Sequence, residues 1–203
     1  KSVAASGSGA ALIKTPDLAH AIVRAARQGL EDWAGGQSIH SQGFKPSRIE
    51  FIHTLNHSRS GVPVVPRRLL PLSIKTRLGF DCVVVERWVE HLLEARPAAI
   101  TLHGRTLQQM YRGAADWSAI AEAAKLAHGT GTLMLGNGDL NTLVDAIRRA
   151  AESKVQGVLV GRGTLGSPWF FREKEQARRA FSERDDLPTL PAAAWEPQVS
   201  VSH

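Results

Sequence analysis

Four short apolar runs in the sequence end in residues that can do chemistry. The residues at these four ends are Lys75, then His103, then Asn137, Gly138 and Asp139, and finally Gly161 and Arg162. Lysine, arginine and the exposed backbone N–H groups beside glycine all bind phosphate, and histidine can donate a hydrogen bond or exchange a proton. If the four ends converge in space, the sequence therefore predicts a site for an anionic ligand.

The third and fourth ends, GNGD at 136–139 and GRG at 161–163, predict a phosphate cradle. Glycine lets the backbone approach a ligand closely, a following helix offers unpaired N–H groups, and Arg162 adds a forked donor. The alternative is that these glycines only make tight turns; their recurrence on consecutive runs favours phosphate. A dinucleotide-binding fingerprint at 161–166 is a weaker interpretation, because one predicted helix and no further strand follow it.

The first two ends predict the walls of a reaction site. Lys75 follows Ile74 in an otherwise apolar run, so its charge needs an anionic partner, either a ligand such as a phosphate or a flavin edge, or a structural carboxylate. His103 is expected close enough to share that ligand, or else to be a hydrogen-bonded core histidine. Arg105 and Arg112, on the loop beyond it, face an anionic substrate or water.

The elements that position these residues follow from the hydrophobic pattern. The apolar runs LLPLSIK, PAAITLHGR, GTLMLGNGD and VQGVLVGRG each precede an amphipathic pattern typical of a helix. Continuous apolar strands that alternate with helices predict an α/β fold with a parallel sheet, and their rhythm fits a (β/α)8 TIM barrel. A full barrel has eight units and the chain shows four, so we expect a piece of a longer protein rather than a half-barrel completed by a second copy.

The remaining segments predict less chemistry. Thr15, with Pro16 after it, predicts the start of a helix with Leu18, Ile22, Ala25, Ala26 and Leu30 on one stripe, ending at the glycines at 35 and 36. Residues 35–70 read as an irregular insertion with a short strand or hairpin, in which His53 and His57 are better explained as loop histidines than as metal ligands. We expect one domain over residues 1–180, with a helix after Ser167, and a poorly ordered tail at 181–203.

Composition narrows the class of protein further. The 203 residues carry a formal net charge of +6, which favours a polyanionic partner such as nucleic acid without requiring one. The lone Cys82 cannot form an internal disulfide, and we expect it to be a packing residue. No apolar run approaches the ~20 residues that span a bilayer. We expect a cytoplasmic protein, and we expect it to bind no metal.

Five ordered stretches give the sequence a family resemblance. GSGAALIKTPDL at 7–18, SIKTRLGF at 73–80, ITLHGRTLQQMYRGAADW at 100–117, LGNGDL at 135–140 and GVLVGRGTLGSPWFF at 157–171 resemble the tRNA-dihydrouridine synthases. The resemblance implies an FMN-dependent TIM barrel, present here as strands five to eight, and a monomeric enzyme that reduces uridine in tRNA with NADPH as reductant. It also implies a proton-donating cysteine in an N-x-G-C-P motif upstream of Lys1, so we expect the isolated piece to be inactive and to bind FMN weakly.

By the family pattern, Lys75 and His103 contact the flavin ring system, and Arg105 flanks the uridine. The residues implied to hold the FMN phosphate are Asn137, Gly138, Asp139, Gly161 and Arg162. Two alternatives stay open: another FMN- or phosphate-binding barrel that acts on a small molecule such as a pyrimidine, or a basic remnant that only contacts RNA.

Overall fold

The computed structural model describes residues 2–60, 67–167 and 170. The helix expected after Ser167 and the tail at 181–203 therefore lie outside the described residues. None of the helices in the described part of the chain combines the length and the apolar character that a bilayer crossing requires.

The centre of the fold is a four-stranded parallel sheet whose strands follow one another in chain order. The strands are Ser73–Arg77 (β1), Ala99–His103 (β2), Leu133–Asn137 (β3) and Gly157–Leu159 (β4). The helices are Ser2–Ala5 (α1), Pro16–Ala34 (α2), Pro46–Ser60 (α3), Val85–Glu94 (α4), Trp117–Ala127 (α5) and Leu143–Ser153 (α6), with 3₁₀ turns at Gly9–Lys14, Ile39–Gln42 and Arg162–Thr164. The predicted α/β fold is confirmed, and the arrangement is that of a partial (β/α)8 barrel.

Helices cover one face of the sheet and form the core with it. Ile100, Leu102, Met134 and Ile120 are fully buried there. The indole N–H of Trp88 on α4 donates to the Thr76 hydroxyl over 3.0 Å, which satisfies a polar group buried beneath the helix. The covered face therefore combines apolar packing with paired polar groups.

The helices α4, α5 and α6 follow β1, β2 and β3, as the alternation of apolar runs and amphipathic patterns predicts. The side chain of Asp116 accepts from the Ala119 N–H at 2.9 Å and caps α5, and Thr142 accepts from the Asp145 N–H at 3.0 Å and caps α6. Each cap satisfies one of the N–H groups that a helix start leaves unpaired. These caps place the loops before α5 and α6 at the carboxyl ends of β2 and β3.

The prediction for residues 35–70 was wrong about structure. In place of a strand or hairpin, the described part of this segment contains the turn at Ile39–Gln42 and the helix α3. Within α3, Ile49 is buried and Phe51 is 62% exposed. The helix therefore lacks the continuous apolar stripe from which a helix is predicted.

Two further expectations need correction. The helix α2 has its predicted bounds, but Leu18 and Ile22 are exposed and Ala19 is buried, because α2 packs on α4 through a different face. Cys82 is exposed in the loop that precedes α4, so it is not a packing residue.

Candidate functional site

The four strand ends carry a single row of side chains across the sheet. Arg77, His103, Asn137 and Leu159 are register partners from β1 to β4, so they share one level and one face. This face is the one that α4 and α5 leave open. The predicted convergence of the strand ends is therefore a feature of the structure.

A cavity of about 160 Å³ opens where β3 and β4 end. Its walls include Asn137, Gly138, Gly161 and Arg162 together with the His103 ring, and Tyr111 closes one side. Six of the eight predicted site residues line this space: His103, Asn137, Gly138, Asp139, Gly161 and Arg162. Lys75 and Arg105 reach it only through contacts with its walls.

Lys75 reaches the cavity wall through Asn137. Its ammonium nitrogen lies 3.4 Å from Asn137 Oδ1, while Asn137 Nδ2 donates to the Leu159 carbonyl over 2.7 Å. The bond to Leu159 fixes the orientation of the amide, so its oxygen faces the lysine. Asn137 thus links the first, third and fourth strands at one level of the sheet.

Gly138 is required where it stands. Its φ of 132° lies in the region that favours glycine, and a Cβ would approach the Ala115 side chain to 2.7 Å and the His103 ring to 3.3 Å. The loop after β3 therefore lies close against the loop after β2. Trp117 holds it there, because its indole N–H donates to the Gly138 carbonyl over 3.1 Å.

The two glycines of GRG have different tasks. A Cβ on Gly163 would collide with the backbone of Leu140 and Asn141, so this glycine lets the β4 loop pack on the β3 loop. A Cβ on Gly161 would meet nothing within 4 Å, which leaves its backbone open on the cavity side. The described residues after β4 form a 3₁₀ turn, Arg162–Thr164, whereas the helix expected after Ser167 lies outside the described residues.

Arg105 is buried rather than facing water. Its side chain is 3% exposed and binds both carboxylate oxygens of Asp139, at 2.8 and 2.7 Å, while Nη2 also donates to the Gly113 carbonyl. The predicted contact of Arg105 with a substrate stays a prediction, and in this structure its terminal nitrogens are committed to the loop and to Asp139. Its Nε is buried without a protein acceptor among the described residues.

Asp139 accepts two further bonds. The Ala115 N–H donates to Oδ2 over 2.7 Å, and Arg162 Nη2 donates to Oδ1 over 3.1 Å. Burial raises the pKa of Asp139, but the hydrogen bonds from Arg105 and Ala115 and the two guanidinium charges outweigh it and lower the pKa below its usual value. The carboxylate is therefore anionic, and it cannot itself donate to a phosphate.

The open face is strongly cationic. Burial, followed by the charges of Arg77, Lys75 and Arg105, lowers the pKa of His103 to about 4, so the imidazole is neutral near pH 7. Lys75 is an exposed residue, yet partial burial and then the neighbouring Arg77 lower its pKa. Burial is the larger cause of each shift and nearby positive charge the smaller one, and an anion close by would offset the second cause.

A second cavity adjoins the first at Tyr111. It measures about 440 Å³ and has walls from Arg77, Phe80, Leu107 and Met110. The Arg162 guanidinium lies 5.0 Å from the centre of the Tyr111 ring, a cation–π contact that joins the two spaces. The sequence predicted this loop but not the roles of Tyr111, Asp116 and Trp117 in it; the run GAADW at 113–117, directly after the loop residues, was the available signal.

No three histidine, cysteine, aspartate or glutamate side chains are grouped so as to hold a metal ion within residues 2–60, 67–167 and 170. His53 and His57 lie one turn apart on α3, away from the strand ends, and the His53 ring stacks on His40 at 6.1 Å. They lie on a helix rather than in the loop that the sequence predicted.

A parallel α/β sheet of four strands, with a cavity lined by Arg162 and His103 where the last strands end, defines a segment of an α/β barrel. Comparison with known families identifies which barrel: the family model for dihydrouridine synthase matches residues 57–196. The chain belongs to the dihydrouridine synthase family. The resemblance predicted from the five stretches is thus confirmed.

Individual relatives agree with this assignment. The chain is 40% identical over 109 residues to a probable tRNA-dihydrouridine synthase of Aquifex aeolicus. The matched stretch covers 54% of this chain and 34% of the relative. It is 38% identical over 115 residues to a probable tRNA-dihydrouridine synthase of Mycobacterium leprae (53% and 28%), and 33% identical over 123 residues to a tRNA-dihydrouridine(47) synthase [NAD(P)(+)]-like protein of Xenopus tropicalis (58% and 19%). The matches thus span about a third or less of the length of these relatives.

Proposed function

We propose that this chain is the cofactor-binding part of an FMN-dependent tRNA-dihydrouridine synthase, which reduces uridine to 5,6-dihydrouridine in tRNA with NADPH as reductant. The observation that carries the proposal is the cavity shared by Asn137, Gly138, Gly161 and Arg162 at the ends of β3 and β4. Membership of the dihydrouridine synthase family and the names of the relatives support the reaction.

The residues present fit the phosphate end of FMN. The open backbone at Gly161 gives room for close approach, and Arg162 is 60% exposed with donors free to turn toward a ligand. The site has four positively charged side chains and one negatively charged side chain, while His103 is neutral. The positive ones are Lys75, Arg77, Arg105 and Arg162, and the negative one is Asp139. The site therefore carries an excess of positive charge. A dianionic phosphate matches that excess.

Lys75 and His103 are proposed to hold the flavin ring system. When bound, reduced FMN would supply the hydride that adds to C6 of the uridine. The Lys75 ammonium faces the open side of the sheet beside Asn137 and can stabilise negative charge there. His103, uncharged near neutral pH, can donate one hydrogen bond without adding to the crowded positive charge.

The loop at 104–116 is proposed to receive the uridine. It lines the cavity of about 440 Å³ next to the phosphate cavity, with Leu107, Met110 and Tyr111 offering apolar and aromatic surface for a base. A base that reaches this space has left its stack, as substrates of base-modifying enzymes do. Arg105 would then act on the substrate by shaping this loop from within.

Flavin content and tRNA modification test the proposal. The intact protein that carries this chain, purified gently, is expected to show flavin absorbance and to release FMN on denaturation. With NADPH it should form dihydrouridine in unmodified tRNA, and Arg162→Ala should lose FMN while Arg148→Ala, an exposed arginine on α6, retains it.

Two outcomes would overturn the proposal. A folded protein that takes up no FMN would exclude the cofactor. A flavoprotein that reduces free pyrimidines as well as it reduces tRNA, with activity indifferent to salt, would exclude the substrate, because contacts with a nucleic acid backbone weaken steeply as salt rises.

A further inference from the structure

The carboxylate of Asp139 joins three loops. It lies on the loop after β3 and accepts four hydrogen bonds: two from Arg105, one from the Ala115 N–H and one from Arg162. Arg105 and Ala115 are on the loop after β2, at 104–116, whereas Arg162 is on the loop after β4. Asp139 therefore connects the proposed uridine loop to the proposed phosphate arginine through hydrogen bonds that it accepts from both.

The two sides of this junction differ in burial. Arg105 is 3% exposed and binds Asp139 through two short bonds of 2.7 and 2.8 Å. Arg162 is 60% exposed, and its bond of 3.1 Å is the longest of the four. The buried side is a fixed attachment, and the exposed side is the one that a competing anion can displace.

Two backbone features place strain at the same junction. Asp139 has φ 49° and Met110, on the uridine loop, has φ 53°, both in the left-handed region that residues other than glycine seldom adopt. Such conformations persist where surrounding contacts enforce them, and they occur often in switching segments. Tyr111, next to Met110, is the second partner of Arg162.

We propose that Asp139 is a positioning residue that couples occupancy of the phosphate cavity to the order of the loop at 104–116. An anion in the cavity draws the Arg162 donor away from Asp139, and the carboxylate then acts on Arg105 and Ala115 alone. Coupling is reciprocal, so FMN tightens tRNA binding by the same factor by which tRNA tightens FMN binding. The inference rests on the proposed function, because it takes FMN as the anion and tRNA as the substrate.

Hydrogen exchange on the intact protein tests this coupling without an activity assay. FMN is removed, and amide exchange at 104–116 and tRNA affinity are measured before and after FMN is restored. In the wild type we expect FMN to slow exchange in this loop and to tighten tRNA binding by about five-fold or more. In the Asp139→Asn variant at saturating FMN, we expect FMN to change neither the exchange rate of this loop nor the affinity for tRNA appreciably.

Two further variants keep the test decisive. Asp145→Asn removes a carboxylate that also binds an arginine, the half-exposed Arg148 on α6, and it should behave as the wild type. If Asp139→Asn does not fold, Arg162→Gln cuts only the exposed side of the junction and should abolish the response of the loop at saturating FMN.

The outcomes separate the two proposals. A wild type that binds FMN and modifies tRNA, with an Asp139→Asn variant whose loop still responds fully to FMN, overturns the coupling and leaves the function standing. A wild type that takes up no FMN overturns the proposed function and the coupling with it.

Discussion

The two faces of the sheet are built from the same strands but carry different side chains, mainly apolar on one face and mainly polar or charged on the other. On the face under α4 and α5, Ile100, Leu102 and Met134 are fully buried. On the open face, the last residues of β1, β2 and β3 are Arg77, His103 and Asn137. Because side chains alternate along a strand, one short segment supplies both the core and the site.

The difference shows where stability and chemistry reside. Burial of apolar surface stabilises the covered face. On the open face, burial and then the neighbouring positive charges lower the pKa values of His103 and Lys75. The covered face is thus apolar and the open face polar and charged, so the comparison predicts that mutations on the two faces have different consequences.

The largest expected effect is on the covered face. Leu102→Ala removes a side chain that is 0% exposed and should lower the free energy of unfolding by about 2–5 kcal/mol, through lost burial and the cavity left behind. Leu135→Ala is the matched control, because Leu135 lies on the open face and is only partly buried. Urea unfolding measures both.

Equal losses of stability in these two variants would contradict the comparison, since they would show that the open face is packed as tightly as the covered one. A smaller loss for Leu135→Ala, without change in the slope of the denaturant transition, would support it.

The next effect concerns binding alone. Arg162→Ala should weaken FMN binding by roughly 10- to 100-fold, the range for a lost hydrogen bond to a charged group, and leave the free energy of unfolding of the FMN-free protein nearly unchanged. The reason is that Arg162 is 60% exposed and packs on no buried side chain among the described residues. Fluorescence titration with FMN measures the affinity.

A loss of stability in Arg162→Ala as large as that in Leu102→Ala would contradict the assignment, because it would make Arg162 a structural residue. Arg162→Lys refines the test. A lysine keeps the positive charge but lacks the planar guanidinium group with its several donors. An FMN affinity between those of the wild type and Arg162→Ala would therefore indicate that guanidinium geometry contributes beyond charge.

The sequence predicted the covered face more fully than the open one. The strands and α4 to α6 are encoded locally, in apolar runs and in caps such as Asp116 and Thr142. The helix α3 was missed because it buries Ile49 but no continuous stripe, so glycine, serine and proline dominated the pattern around it. Local periodicity carries no information about a helix that packs so little.

The candidate site was predicted as a set of residues but not as a network. Lys75, His103, Asn137 and Arg162 were recognised from their positions at the strand ends. The role of Asp139 was not, because its partners Arg105 and Arg162 lie 34 and 23 positions away along the chain. Asp139 was expected to hold the phosphate, whereas its charge suits it to hold the arginines. Only the register of the strands brings these groups together.

The last expected effect is a gradual pH dependence that originates on the open face. The pKa of His103 is about 4 in the folded protein against 6.5 for an unperturbed histidine. Between these values the unfolded chain binds a proton that the folded protein does not, so the free energy of unfolding falls as the pH is lowered from about 6.5 to about 4. Below the folded pKa both states are protonated and this contribution no longer changes.

His103→Gln should remove this part of the pH dependence while retaining a hydrogen-bonding side chain. Urea unfolding at several pH values from 7.5 to 4 measures it, with His57→Gln, an exposed histidine on α3, as the control. The slope attributable to His103 must lie below about 1.4 kcal/mol per pH unit, the limit for one proton. A wild type and a His103→Gln variant with parallel profiles would show that burial and the neighbouring cations do not lower the pKa of the imidazole. Added FMN should flatten the wild-type slope, because a dianion beside His103 raises its pKa toward the unfolded value, and this response ties the electrostatics of the open face to the ligand it is proposed to bind.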